Sequence, residues 1–360
     1  MDINDIMTIL REHTNEVMQH PVIGERLEES LSALDISGYN YMRGRYEMDI
    51  NANPNRILFG SETYPPEIDR NWEMVETYPQ VLGDFTWTGW DYIGEAGVGV
   101  SEYNTKVRFF KPYPAMLGYC GDYDIFGNRR PISYFREIVW GLRTRPYLSV
   151  DPPLHYRDRV SCTPWTMDAS VESWNWNGYE GKPIRVRIFS SSEEVELLLN
   201  GKSLGRVRTG KEKRFQAIFE TLYYPGELEV IALNNGKEVG RNYLKTAKEE
   251  VSLTVTPDRD TIKANGEDLV FLELALKDEE GNINPSIDKR ISVQVTGAGS
   301  LQGIGSANPC GIEGFCKDYC ETWQGRAMAV VRAGRKEGVI CIRLKAEDED
   351  AVCVEIKVVK

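Results

Sequence analysis

The stretch Ile57-Leu58-Phe59-Gly60-Ser61-Glu62-Thr63-Tyr64 constrains the fold more than any other. It is a short apolar run, continuous rather than alternating, and it closes on a carboxylate. Such a run reads as a strand buried on both faces, as in a parallel sheet. A second run of the same kind, Val81-Leu82-Gly83-Asp84-Phe85-Thr86-Trp87-Thr88-Gly89-Trp90-Asp91-Tyr92, follows after one helix-length interval. Glu67 to Tyr78 fills that interval and reads as a helix. Upstream, Leu34 to Tyr41 reads as a third buried strand with a polar and aromatic end. Glu25 to Ala33 reads as the helix before it, with Leu27 and Leu31 one turn apart. Asp2 to Gln19 reads as an earlier helix, capped by Asp2 or Asn4, with Ile6, Ile9, Leu10 and Val17 near one face and Pro21 as its stop. Arg45 to Asn53 is polar and reads as a helix or a loop, with a stop at Pro54. Alternation of helix and buried strand predicts a parallel sheet.

A carboxylate at the C-terminal lip of a buried parallel strand sits where (β/α)8-barrel enzymes keep their chemistry. Glu62 occupies such a lip, although a solvated loop acid would also stand there. Gly94, Gly97 and Gly99 mark a long loop after the third strand. Pro131 to Leu142 reads as a helix, with Tyr134, Phe135, Ile138, Val139 and Leu142 on one face. Only about three βα units are legible, where a closed barrel needs eight. Residues 1–150 are therefore expected to form the later part of such a barrel.

The texture changes near Asp151. Ile184 to Phe189 alternates with period two, and Val195 to Leu199 does so less cleanly. Asn200-Gly201 is a strong hairpin signal. Phe215–Thr221 and Leu228–Leu233 continue the pattern, so 151–247 is expected to be a small β-sandwich. After the charged stretch Lys245 to Glu250, residues 248–360 read as a second β-sandwich. Its strands are Val251–Val255, Leu269–Lys277, Ile291–Val295, Ala327–Arg332 and Gly338–Ala346, and such modules read as spacers or packing partners.

Composition removes several classes. A formal charge of −12 disfavours a phosphate-backbone partner. No apolar run approaches the roughly 18 residues of a membrane span. The start, Met1-Asp2-Ile3-Asn4-Asp5, carries no basic-then-apolar leader. Cys310, Cys316 and Cys320 are spaced x5 and x3 with no nearby histidine. That is not a zinc pattern, and free buried thiols in a reducing compartment fit better. Neither a metal nor a cofactor is expected. The 18 Tyr, 8 Trp and 11 Phe would suit a protein that stacks rings on sugars, although most such rings serve as core.

Ile57–Tyr64 and Gly83–Tyr92 together resemble the seventh and eighth barrel strands of glycoside hydrolase family 2, the family of bacterial β-galactosidases and β-glucuronidases. Asp35-Ile36-Ser37-Gly38-Tyr39-Asn40-Tyr41 resembles the sixth. Trp174-Asn175-Trp176-Asn177-Gly178 with Val195–Gly205 resembles a β-domain that follows the barrel, and the last domain resembles the family's Ig-like C-terminal module. The resemblance implies a retaining mechanism with two carboxyl groups. Glu62 matches the nucleophile. Tyr39, Asn40 and Tyr41 would supply donors that keep it ionised, and Trp87 would floor the sugar site or serve as a core ring. Trp87-Thr88 is expected to be a cis peptide. The family's acid/base, the Glu of an Asn-Glu pair, has no match among the 61 residues before Glu62 beyond the helical dipeptide Asn15-Glu16. The chain therefore reads as a C-terminal fragment, inactive by itself, that self-associates or pairs with the missing N-terminal part; the alternative reading is a catalytically inactive module for carbohydrate binding or assembly. Family β-glucuronidases clamp the uronate with a Lys after the eighth strand. Gly118-Tyr119-Cys120-Gly121-Asp122-Tyr123-Asp124 has none, and its two acids would repel a uronate. A neutral β-linked sugar, galactose first, is implied.

Overall fold

The computed structural model describes residues 13, 14 and 16–360. The helix expected from Asp2 to Gln19 lies mostly outside them; residues 13–14 and 16–19 are helical. Pro21 opens a helix as well as closing one. Helix α1 (Pro21–Leu31) takes Pro21 at its first turn, and the His20 ring accepts the Val22 N–H as a cap.

The described residues divide into two compact units, those up to 172 with 183–221 and 229–243 in one, and 173–182, 222–228 and 244–360 in the other. In the first, β1 (Ile36–Asn40), β2 (Ile57–Thr63) and β3 (Val81–Thr86) form a parallel sheet in sequence order. Between them lie α2 (Tyr46–Ala52) and α3 (Ile68–Thr77). The sheet packs one face on these helices. Tyr39, Leu58 and Val81 share a core with Leu31, Tyr46 and Ile50.

Helix α2 occupies the stretch that reads as helix or loop, and its buried face is partly charged. Arg45 and Asp49 form an ion pair at 2.6 Å with side chains only 3% and 8% exposed. The Tyr39 phenol donates to the same carboxylate at 2.7 Å, and Arg45 donates to the Met18 carbonyl at 2.8 Å. Polar residues here are interior, paired and hydrogen-bonded, as burial of charge requires.

Helix α4 (Pro131–Val139) follows, and Phe135, Ile138 and Val139 pack with Ile68, Tyr147 and Phe189. The strand Tyr147–Val150 pairs antiparallel with Pro183–Phe189, so the first sandwich starts a few residues before position 151. Its sheets contain three strands (Gln216–Leu222, Pro183–Phe189, Tyr147–Val150) and four (Lys202–Arg208, Glu194–Leu199, Glu227–Asn234, Lys237–Lys245). The Asn200-Gly201 turn joins Glu194–Leu199 to Lys202–Arg208 with positive φ at both residues, 51° and 75°, the geometry that suits the right-handed twist of a hairpin.

The second unit is a two-sheet sandwich. Four strands (Ser252–Pro257, Leu269–Lys277, Arg326–Ala333, Gly299–Gly305) face five (Thr261–Lys263, Val352–Val359, Gly338–Ala346, Arg290–Gly297, Tyr319–Glu321) across one apolar core. The tryptophan-rich stretch belongs to this unit as structure: Trp174 is fully buried and donates to the Tyr224 carbonyl at 3.0 Å. Among the described residues no helix is long and apolar enough to cross a membrane.

Candidate active site at the ends of three parallel strands

The C-terminal ends of β1, β2 and β3 are tied together by backbone bonds. The Tyr41 N–H donates to the Glu62 carbonyl at 2.7 Å, and the Trp87 N–H donates to the Thr63 carbonyl at 3.0 Å. The register is not uniform. Tyr39 pairs with Gly60 but Asn40 pairs with Glu62, so Ser61 is an extra residue in β2. Parallel neighbours in register point to one face, and the bulge moves Glu62 onto the face of Asn40. Ser61 Oγ closes the bulge by donating to Asn40 Oδ1 at 2.6 Å.

That parity separates the expected donors. Along β1 burial alternates, with Ser37 and Tyr39 buried and Gly38 and Asn40 exposed. Asn40 stands beside Glu62. Tyr39 faces the helices, where its hydroxyl is committed to Asp49. It is not a donor to the carboxylate, because adjacent residues of one strand cannot share a face. Tyr41, just past the strand, regains the site by turning: its φ is +56°, the left-handed region that a bulky residue adopts only when its surroundings hold it. Its ring stacks on Tyr64 at 4.3 Å. The Tyr41 phenol is pushed well above the usual tyrosine range, first by burial; the Trp165 indole works against this, and the Glu62 carboxylate adds to it. The phenol stays protonated and available as a donor.

Trp87 is partly buried and joined to Thr88 by a cis peptide bond. Its indole donates to the Tyr92 hydroxyl at 3.1 Å, and the two rings meet edge to face. Tyr92 in turn donates to Glu95. The Tyr92 ring lies over Gly118, where an added Cβ would come within 2.6 Å of it.

The two acids after β3 are structural. Asp122 is held by Arg136 through bonds of 2.6 and 2.9 Å, and Asp124 accepts the N–H groups of Phe126 and Asn128 in its own turn. Their expected repulsion of a uronate therefore loses its basis, while the absence of lysine from residues 118–124 stands.

Asp84, opposite Gly60 on β3, is a feature the sequence did not single out. Both its oxygens are buried with no hydrogen-bond partner among the described residues, as is the Tyr46 hydroxyl. A Cβ on Gly60 would meet that hydroxyl at 2.8 Å and Asp84 Oδ1 at 3.1 Å, so the two groups flank the same glycine. Burial pushes the Asp84 carboxyl up to about 6; the Thr63 hydroxyl and Arg136 oppose it only in part. A raised acid contributes stability in its neutral form. That contribution is complete below the ordinary value near 3.8 and is lost as pH rises through about 6. Asp84→Asn should therefore raise Tm at pH 7.5, by an amount equivalent to roughly 2 kcal/mol, with the gain vanishing near pH 4. Thermal melts of both proteins across that range check this, and an equal gain at both ends would refute it.

The family model described as glycoside hydrolase family 2 C-terminal domain 5 matches residues 253–357, and a domain of unknown function (DUF4982) matches 181–240. Over 268 residues the chain is 28% identical to the beta-galactosidase BoGH2A of Bacteroides ovatus, an alignment covering 74% of this chain and 27% of that protein. It thus spans about a quarter of that relative's length. A solved glycosyl hydrolase family 2 member from Bacteroides cellulosilyticus superposes with a TM-score of 0.84 at 35% identity, covering 92% of this chain and 43% of that one. A β-glucuronidase of the same family is alike in fold, with a TM-score of 0.63 at 13% identity over 90% of this chain and 33% of that one. The chain carries the match to glycoside hydrolase family 2 C-terminal domain 5, and its relatives and solved neighbours together support a C-terminal part of a protein of that family.

Proposed function

We propose that β1–β3 form part of a (β/α)8 barrel in a retaining glycoside hydrolase acting on terminal β-linked neutral sugars, with β-galactosides first. Glu62 is the nucleophile. The observation that carries this reading is the bulge at Ser61, which brings the Glu62 side chain to the face of Asn40 at the ends of three parallel strands. The carboxylate attacks the anomeric carbon as the glycosidic bond breaks. A second carboxyl group, from outside these 360 residues, protonates the leaving oxygen and later activates water. Asn40 and Tyr41 bind and orient the sugar or the nucleophile, and the Trp87 ring packs on the sugar's C–H face. The named activity of the Bacteroides ovatus relative and the lack of a lysine clamp after β3 support galactose. The isolated chain should not turn over an aryl β-galactoside appreciably, since protonation and attack work as a pair.

A 2-deoxy-2-fluoro-galactosyl fluoride tests this. Fluoride leaves without acid help, so the C1–F bond breaks as the Glu62–C1 bond forms. Mass spectrometry of the peptide holding Glu62 should show one fluorosugar, absent in Glu62→Gln. No label, or a label elsewhere, overturns the nucleophile assignment. It would favour a second reading, an assembly module: the sheet face opposite the helices leaves Ile36, Leu82 and Phe85 exposed at 46%, 57% and 64%.

A further inference from the structure

We propose that Trp90 is a stacking platform for a second sugar ring of the substrate, the one on the leaving-group side of the bond that Glu62 attacks. The inference rests on the reading of Glu62 and Trp87 given above. Trp90 stands three residues beyond Trp87, in the loop after β3.

The indole is fixed in orientation yet left in water. One face lies on the Tyr123 ring, with centroids 5.3 Å apart and planes 19° from parallel. A Cβ on Gly127 would stand 3.1 Å from Cη2 of the indole, so that glycine backs the ring closely. The indole N–H donates to the Ile125 carbonyl at 3.2 Å. The backbone is tied as well. Asp91 N–H donates to the Tyr123 carbonyl at 2.9 Å, Tyr123 N–H donates to the Gly89 carbonyl at 3.2 Å, and Thr88 Oγ1 donates to the Trp90 carbonyl at 2.8 Å. Asp91, the next residue, is buried and accepts from Gly121 N–H at 2.7 Å and from Arg130 at 3.2 Å. Trp90 is nonetheless 52% exposed. With one face on Tyr123, that exposure falls chiefly on the opposite face.

Packing alone does not account for this. A core ring buries both faces, and a surface ring without a partner needs neither a committed N–H nor a braced backbone. What remains open is an apolar face of defined tilt. It suits the C–H face of a pyranose, whose hydroxyls then stay in water at the ring edge. Because the indole N–H is spent on Ile125, recognition here is by ring contact and tolerates either configuration of the hydroxyls. Three residues of chain reach at most about 10 Å, and the Thr88–Trp90 bond folds the segment shorter. Trp87 and Trp90 therefore stand within the span of a short oligosaccharide. For a terminal sugar seated at Glu62, every further sugar is attached through the glycosidic oxygen. The ring that reaches Trp90 is thus on the leaving-group side.

Binding of galactose and lactose to the 360-residue chain tests this. In protein carrying 15N-tryptophan, the Trp90 indole signal is the one lost in Trp90→Phe. Lactose, whose glucose ring extends from the galactose anomeric oxygen, should move that signal in the parent chain, and galactose should not. In Trp90→Ala the ratio of lactose affinity to galactose affinity should fall about 3–10-fold, the scale of one ring-on-ring stack. In Trp90→Phe, which keeps a ring but not the Ile125 bond, it should fall less. A Trp90 signal that lactose leaves unmoved, or an equal loss of both sugars in Trp90→Ala, would overturn the proposal. Fluorosugar labelling separates this from the reading it rests on. A labelled Glu62 beside a Trp90 that ignores lactose removes the platform and keeps the nucleophile. A Trp90 that answers lactose in a protein that takes no label keeps the platform and removes the nucleophile.

Discussion

Asp49→Ala is expected to destabilise the β1–β3 unit by about 3–5 kcal/mol, the cost of leaving one member of a buried ion pair without its partner. The loss is larger than that of a surface pair, because Arg45 is almost wholly enclosed and Tyr39 loses its acceptor in the same step. Little room exists for rearrangement. A Cβ on Gly24 would already stand 2.5 Å from Arg45 Nη2, so the guanidinium is pressed against the α1 backbone. Asp49→Asn keeps an acceptor for Tyr39 and should cost less. The double variant Arg45→Met with Asp49→Leu removes both charges and should recover much of the loss. Urea midpoints, with amide exchange of β1 as the local reporter, measure all three. A loss below about 1 kcal/mol in Asp49→Ala would show that water reaches the pair.

The second large effect lies in the C-terminal sandwich. Leu274 is fully buried and pairs across the ladder with Ala327. The strand Arg326–Ala333 places Ala327, Ala329 and Ala333 in the same core. These small side chains have no free length with which to fill a void. Leu274→Ala should therefore fall toward the upper part of the range of about 2–5 kcal/mol seen when a buried leucine is truncated. Amide exchange along Arg326–Ala333 would report the loss. Protection equal to that of the parent chain would mean that the sandwich collapses around the cavity.

Much of this architecture is legible in the sequence, for identifiable reasons. The strands at Ile57 and Val81 are continuous apolar runs ended by polar groups, and Leu269–Lys277 and Gly338–Ala346 fall at their expected bounds. Helix α2 was left between helix and loop because its interior contacts include the Arg45–Asp49 pair, which reads as solvated surface. Lys202–Arg208 was implied by the Asn200-Gly201 hairpin signal but given no bounds, because almost every residue of it is exposed, leaving no alternation to detect. Tyr147–Val150 is the opposite case: four buried residues in a row are too short a run to separate strand from helix end. At the site, Glu62 was singled out by its place at the end of an apolar run, and Trp87 by the resemblance to the family. Tyr39 was misplaced because three successive residues were read as facing one carboxylate, which strand parity forbids. Trp165 gave no signal, since its partner is 124 residues away in the chain.

The extra residue in β2 has a consequence for how this site can be lost. The facing of Glu62 depends on a count, not on the chemistry of any one side chain: without the bulge, Asn40 would pair with Ser61 and the carboxylate would rotate toward the helix layer. Substitution scans of β2 would score Ser61 as tolerant, because many residues can fill a bulge. Removal of that single residue would leave every other side chain intact and still invert the strand end. In a lineage accumulating small deletions, this codon is one where length, rather than identity, is under constraint.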